Sequence, residues 1–184
     1  MELNGAGIGC LAVVSIAVIV LFVVPQISDF VDEMSEETEV VTTTQTSSPK
    51  GNANGKFKDI RLEHGVSKNG VKGMNAIVDF EVRNMRGREG LYVFYFVYDN
   101  GADVKGRTDE NTTEDGQLAV SVKINPAHDP CYYSAQTQFI PYNEFVLPVG
   151  EHKLKCYCVV WLKDGASYKK IATSKYADFR LTQR

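Results

Sequence analysis

Positive charge is missing from the first quarter of this 184-residue chain, since all 20 Lys and Arg lie at or after Lys50. That absence denies the N-terminus the basic leader of a secretory signal peptide. It also removes the Lys/Arg bias that usually orients a membrane span. Between Glu2 and Asp29 there is no charge of either sign. Seven acidic residues precede Lys50, and 16 acidic residues stand against the 20 basic ones from there on. The chain is therefore acidic in front and mildly basic behind, and neither imbalance is large enough to indicate nucleic-acid binding.

Groups that carry chemistry are scarce. There are only three histidines, His64, His128 and His152, and no Ser or Cys stands in a G-x-S-x-G elbow. A hydrolase therefore lacks its usual parts, and no catalytic residue is assigned. Of four cysteines, Cys10 lies in the apolar N-terminal run, leaving Cys131, Cys156 and Cys158 in the body of the chain. Three thiols allow at most one internal disulfide, with Cys131 pairing with Cys156 or with Cys158, so this is no disulfide scaffold. Cys156 and Cys158 form a C-x-C, but zinc would need a further ligand pair, for which only His128 and His152 offer themselves. Two small apolar residues on the inward face of a strand account for the pair more simply. Neither a metal nor a cofactor is expected.

What the N-terminus does have is an apolar run from Gly5 to Val24. As a helix at about 1.5 Å per residue it spans roughly the 30 Å of a hydrocarbon core. Residues 1–25 are read as a transmembrane anchor that places the chain in the lipid bilayer, ending at Pro25. Gly7-Ile8-Gly9-Cys10 is no lipoprotein box, because the hydrophobic run follows Cys10 instead of preceding it. Gly5 and Gly9 make a GxxxG pair, a spacing through which two such helices could associate.

Residues 26–56 read as a juxtamembrane segment and linker. Ile27, Phe30, Val31 and Met34 recur at helical spacing opposite Asp29, Asp32 and Glu33, and Thr38 to Lys56 is a Thr/Ser/Gly/Asn-rich spacer. Such a spacer suits a module held away from the membrane surface, which places the domain on the extracytoplasmic side.

From Phe57 the period changes to two, and residues 57–184 read as one domain. Met74, Ala76, Val78, Phe80 and Val82 alternate with polar neighbours, as do Leu118, Val120, Val122 and Ile124. Leu154, Cys156, Cys158, Val160 and Leu162 do the same, whereas Gly90 to Tyr98 is apolar on both faces and reads as a central strand. Strands are also expected at Phe57 to His64 and Tyr132 to Tyr142, with one or two edge segments between Tyr168 and Leu181. Asn69-Gly70 and Asn100-Gly101 signal turns. The fold class is all-β: an antiparallel β-sandwich, immunoglobulin-like or C2-like, behind one N-terminal transmembrane helix.

One candidate recognition patch emerges. Tyr157 and Trp161, flanked by Lys155 and Lys163, point away from the Leu154 row. The covering of this face by a second sheet or loop is the alternative. The acidic stretches Asp99 to Asp103 and Asp109 to Asp115 invite calcium, but Gly116 falls two places too late for an EF-hand loop. Asn111-Thr112-Thr113 is a glycosylation sequon, of consequence only on a eukaryotic secretory route.

Lys72-Gly73-Met74, Ile140-Pro141-Tyr142 before Phe145-Val146-Leu147, and Gly150-x-His152-x-Leu154-Lys155 occur here in that order. This pattern resembles a β-sandwich module of uncharacterised bacterial proteins, often found C-terminal to other domains or to a membrane helix. The resemblance spans Phe57 to Leu181 and carries no catalytic residues over. It implies recognition or scaffolding. The expected function is thus a membrane-anchored, non-enzymatic module that binds a protein or peptide. A C2-like lipid or calcium module is the first alternative, and a hydrolase the second.

Overall fold

The computed structural model describes residues 51–184. The membrane span expected at Gly5 to Val24, the juxtamembrane helix and most of the spacer lie outside the described residues. Among the described residues no helix is long and apolar enough to cross a membrane.

Ten strands follow in order: β1 (Asn54–Lys68), β2 (Val71–Arg83), β3 (Gly90–Tyr98), β4 (Lys105–Gly106), β5 (Ala119–Ile124), β6 (Cys131–Pro141), β7 (Phe145–Val146), β8 (Gly150–Asp164), β9 (Ser167–Thr173) and β10 (Ala177–Gln183). All their pairings are antiparallel. The first strand begins at Asn54, inside the segment read as linker, because Asn54 to Lys56 already pair with Glu81 to Arg83.

Local chemistry explains the first hairpin. Asn69 and Gly70 both have positive φ, 51° and 78°. This is the turn whose twist matches that of the flanking strands, and it places Lys68 opposite Val71.

One sheet has the order β1-β2-β6; the other runs β10-β8-β3-β5, with β9 pairing the remaining half of the same edge of β8. The two faces meet in one core. The inward row of β2, from Met74 to Val82, is buried against Tyr92, Phe94 and Phe96 of β3 and the Leu154 to Leu162 row of β8. Phe80 of β2 and Tyr92 of β3 touch across the layers with ring centroids 5.4 Å apart. At the other end, Phe96, Phe145 and Phe179 pack edge to face, bringing the short β4–β7 ribbon and β10 into the core. The alternations expected for β2 and β8 are therefore those observed. Val122 is only half-buried.

Cys156 and Cys158 are free, buried thiols, so Cys131 pairs with neither. Burial pushes both thiols above their ordinary pKa, which keeps them protonated and poor nucleophiles.

Candidate functional site: the outward face of the larger sheet

An alternating strand in a two-layer fold turns half its side chains away from the core. On β3 and β8 that outward half is unusually apolar. The register sets Leu91 beside Trp161, Val93 beside Val159, Tyr95 beside Tyr157, and Val97 beside Lys155. On the far side of β3, Ala119 stands opposite Tyr95, and Lys123 opposite Leu91. Val93, Val97, Ala119 and Val159 are buried, yet they belong to no part of the inter-sheet core.

Aromatic rings form the centre of the face. Tyr95 and Tyr157 stack with centroids 5.3 Å apart, and Tyr176, from the β9–β10 connection, meets Tyr157 edge-on at 5.3 Å. Tyr176 remains 56% exposed, so this cluster presents a ring to solvent. Burial pushes the Tyr95 and Tyr157 hydroxyls above the usual phenol range, so both are neutral hydrogen-bonding groups at ordinary pH. Trp161 Nε1 is sealed from solvent, and a side-chain interaction of Trp161 with the Tyr95 hydroxyl offsets part of the rise that burial causes there.

The charged side chains sit around that centre and are largely paired. Lys155 Nζ lies 2.8 Å from Asp99 and 5.9 Å from the centre of the Tyr176 ring. Lys163 Nζ lies 2.6 Å from Glu89. Each ammonium is held above its ordinary pKa, and each carboxylate below, by the hydrogen bond between them. These pairs are solvent-exposed and add little stability.

All four residues picked out in the sequence, Lys155, Tyr157, Trp161 and Lys163, thus share one face. They do not converge on one spot, because Lys155 and Lys163 stand eight residues apart, roughly 27 Å along the strand. They bracket the face. What the sequence reading missed is the contribution of β3 through Leu91 and Tyr95, and that of Tyr176. The signal was present in the two-sided apolarity of Gly90 to Tyr98, which demands cover on both sides of the sheet.

The acidic loops are engaged in local bonding. Asp103 accepts a hydrogen bond from Gln117 Nε2 at 2.8 Å, and Asp115 accepts one from the Thr113 hydroxyl. Asp109 to Asn111 form a single 3-10 turn. Among the described residues, no three His, Cys, Asp or Glu side chains come together as a metal site. His152 Nε2 lies 2.8 Å from the Pro148 carbonyl oxygen, a strand-entry contact, while His64 Nδ1 meets the Tyr142 hydroxyl at 3.2 Å. Among the described residues neither imidazole is hydrogen-bonded to a Ser or Cys.

No family model matches this chain, and no curated protein or solved structure is found to match it.

Proposed function

We propose that the chain is a single-pass membrane protein whose β-sandwich binds a protein or peptide partner through the outward face of β3 and β8, without catalysis. The observation that carries this reading is the continuous apolar and aromatic surface from Leu91 and Trp161 to Tyr95, Tyr157 and Tyr176. An apolar centre inside a rim of paired charges has the composition of a recognition surface. Tyr and Trp are the residue types that concentrate binding energy in such surfaces. The apolar run from Gly5 to Val24 supports the anchoring.

Strand order favours the immunoglobulin-like form of the sandwich over the C2-like one. Taking β1, β2, β3, β5, β6 and β8 as A, B, C, C′, E and F, with β9 and β10 as a divided G, gives ABE packed against GFCC′.

The test is photocrosslinking of the full-length chain in its native membrane, with p-benzoylphenylalanine in place of Tyr157. The control is the same replacement at Thr137, which is exposed on β6 of the other sheet. Protein adducts are expected at position 157 and not at 137, and they should disappear when Tyr176→Ser is added. Equal yields at both positions, or adducts with lipid alone, would overturn the proposal.

A further inference from the structure

Cross-strand register divides the outward face of β3 and β8 into rows, because residues directly opposite each other in antiparallel strands point to the same side. One row reads Asp103, Val97, Lys155 and Asp178, from the β3–β4 connection across to β10. Six residues further along β8, another reads Lys123, Leu91, Trp161 and Lys170, from β5 across to β9. Between them lie the row of Tyr95 and Tyr157 and that of Val93 and Val159. The face is thus apolar along its middle, with an aspartate at each flank of the first row and a lysine at each flank of the last.

All four flanking charges are exposed. Lys155 and Lys163 have partners of their own in Asp99 and Glu89. Among the described residues, none of the four flanking groups forms a salt bridge. Asp103 instead accepts from the neutral Gln117 amide at 2.8 Å. Opposite signs at opposite ends of one face make that face complementary to itself when turned end for end.

We propose that the partner of this face is a second copy of this chain, the two faces packing with their strands antiparallel about a two-fold axis that runs across the strands. The inference rests on the recognition reading above and names its occupant. Such an axis sets Asp103 against Lys123 of the second copy and Asp178 against its Lys170, and symmetry makes each contact twice. The Tyr95 and Tyr157 rings then lie over Val93 and Val159 of the second copy, and Lys155 lies over its Trp161 ring, a favourable cation–π arrangement. An axis along the strands would instead set Asp103 against Asp178 and Lys123 against Lys170, which like-charge repulsion disfavours. The four rows cover roughly 20 Å along the strands and about 14 Å across them, a small footprint beside a standard interface. With the anchoring proposed above, confinement of two chains to one bilayer offsets this by raising their effective concentration. The axis also keeps β1, which borders β9 where Gly55 meets Ala172, on the same side of both copies, as two chains anchored in one membrane require.

The test uses the full-length chain in its native membrane, co-expressed under two epitope tags, with p-benzoylphenylalanine in place of Tyr157. The expected adduct joins one tag to the other and maps, by mass spectrometry, to peptides holding Val93 or Val159. Its yield should fall about tenfold in Lys123→Glu/Lys170→Glu, and likewise in Asp103→Lys/Asp178→Lys, as expected for contacts set by charge. Co-expression of these two variants under separate tags should restore it, since each then meets only opposite charge. If either double variant fails to fold, the single pair Lys170→Glu and Asp178→Lys, both at exposed positions, carries the same test. Adducts indifferent to reversal, or not restored in the mixture, would overturn the proposal. Adducts with a different protein alone would overturn it too but leave the recognition reading standing, whereas equal yields at 157 and 137 would remove both.

Discussion

The side-chain carboxylate of Asp79 on β2 accepts the backbone N–H of Ala135 on β6 at 2.7 Å. Ala135 sits at φ 48° in a bulge, where the register on β2 slips between Val78 and Phe80. The other oxygen of Asp79 accepts from Arg61 of β1 at 2.9 Å. One side chain thus ties the outer surfaces of all three strands of the smaller sheet. Asp79→Ala should cost about 1–2 kcal/mol, the range for a hydrogen bond to a charged group with partial solvent access. Ala135→Gly should add about 0.5–1 kcal/mol by relieving the left-handed conformation. Denaturant melts of both variants check the pair, and an unchanged midpoint for Asp79→Ala would show that the bulge holds without it.

Phe80 is at the meeting point of both sheets, stacked on Tyr133 at 4.7 Å and tilted against Phe57 and Tyr92 at 5.4 Å. Phe80→Asp should abolish cooperative folding, since an unpaired buried carboxylate costs several kcal/mol against a total stability of about 5–15 kcal/mol. Val122→Asp should be milder, because Val122 is only half-buried and its carboxylate could reach water. Circular dichroism melts of the two variants should therefore rank Val122→Asp above Phe80→Asp.

Two glycines close together in sequence should respond for opposite reasons. A Cβ on Gly73 would lie 2.4 Å from the Ile140 carbonyl oxygen and 2.7 Å from the Phe139 ring. Gly73→Ala should then cost about 1–3 kcal/mol through displaced backbone. Gly70 has open space around it but a φ of +78°. Gly70→Ala should cost about 1 kcal/mol through conformation alone. Urea midpoints distinguish the two, and Gly73→Ala should also perturb amide hydrogen exchange across the β2–β6 pair.

Burial pushes the Tyr92 and Tyr133 hydroxyls up to about 12. A phenol is neutral below its pKa, so folding holds these two in the neutral form while the unfolded chain ionises near its ordinary value of about 10. Their contribution to stability is fully present below about pH 10. It is lost progressively as pH rises from there to about 12. The melting temperature should fall steeply across that window, and Tyr92→Phe or Tyr133→Phe should flatten the fall. An identical alkaline profile in both variants would show that other groups drive it.

Much of the fold is legible along the chain because a strand's period of two is a local property. Met74 to Val82 and Leu154 to Leu162 announce their buried faces by alternation, and Asn69-Gly70 announces the hairpin through the conformations those residues tolerate. The bulge at Ala135 is not legible, because an alanine at positive φ is held there by Asp79 from another strand. The early start of β1 was hidden as well, since Asn54-Gly55-Lys56 has linker composition and becomes strand only by pairing with β2.

The same division applies to the outward face. Sequence alone determined that Tyr157 and Trp161 share a side of their strand, opposite the Leu154 row, because side-chain direction repeats every two residues. Only the tertiary structure decided that Tyr95 and Tyr176 join them and that Asp103 and Asp178 flank one row of the face while Lys123 and Lys170 flank another. Those relationships depend on which strands become neighbours. That choice is made by packing between segments far apart in the chain, where hydrophobic burial is non-directional and leaves no periodic trace in either segment.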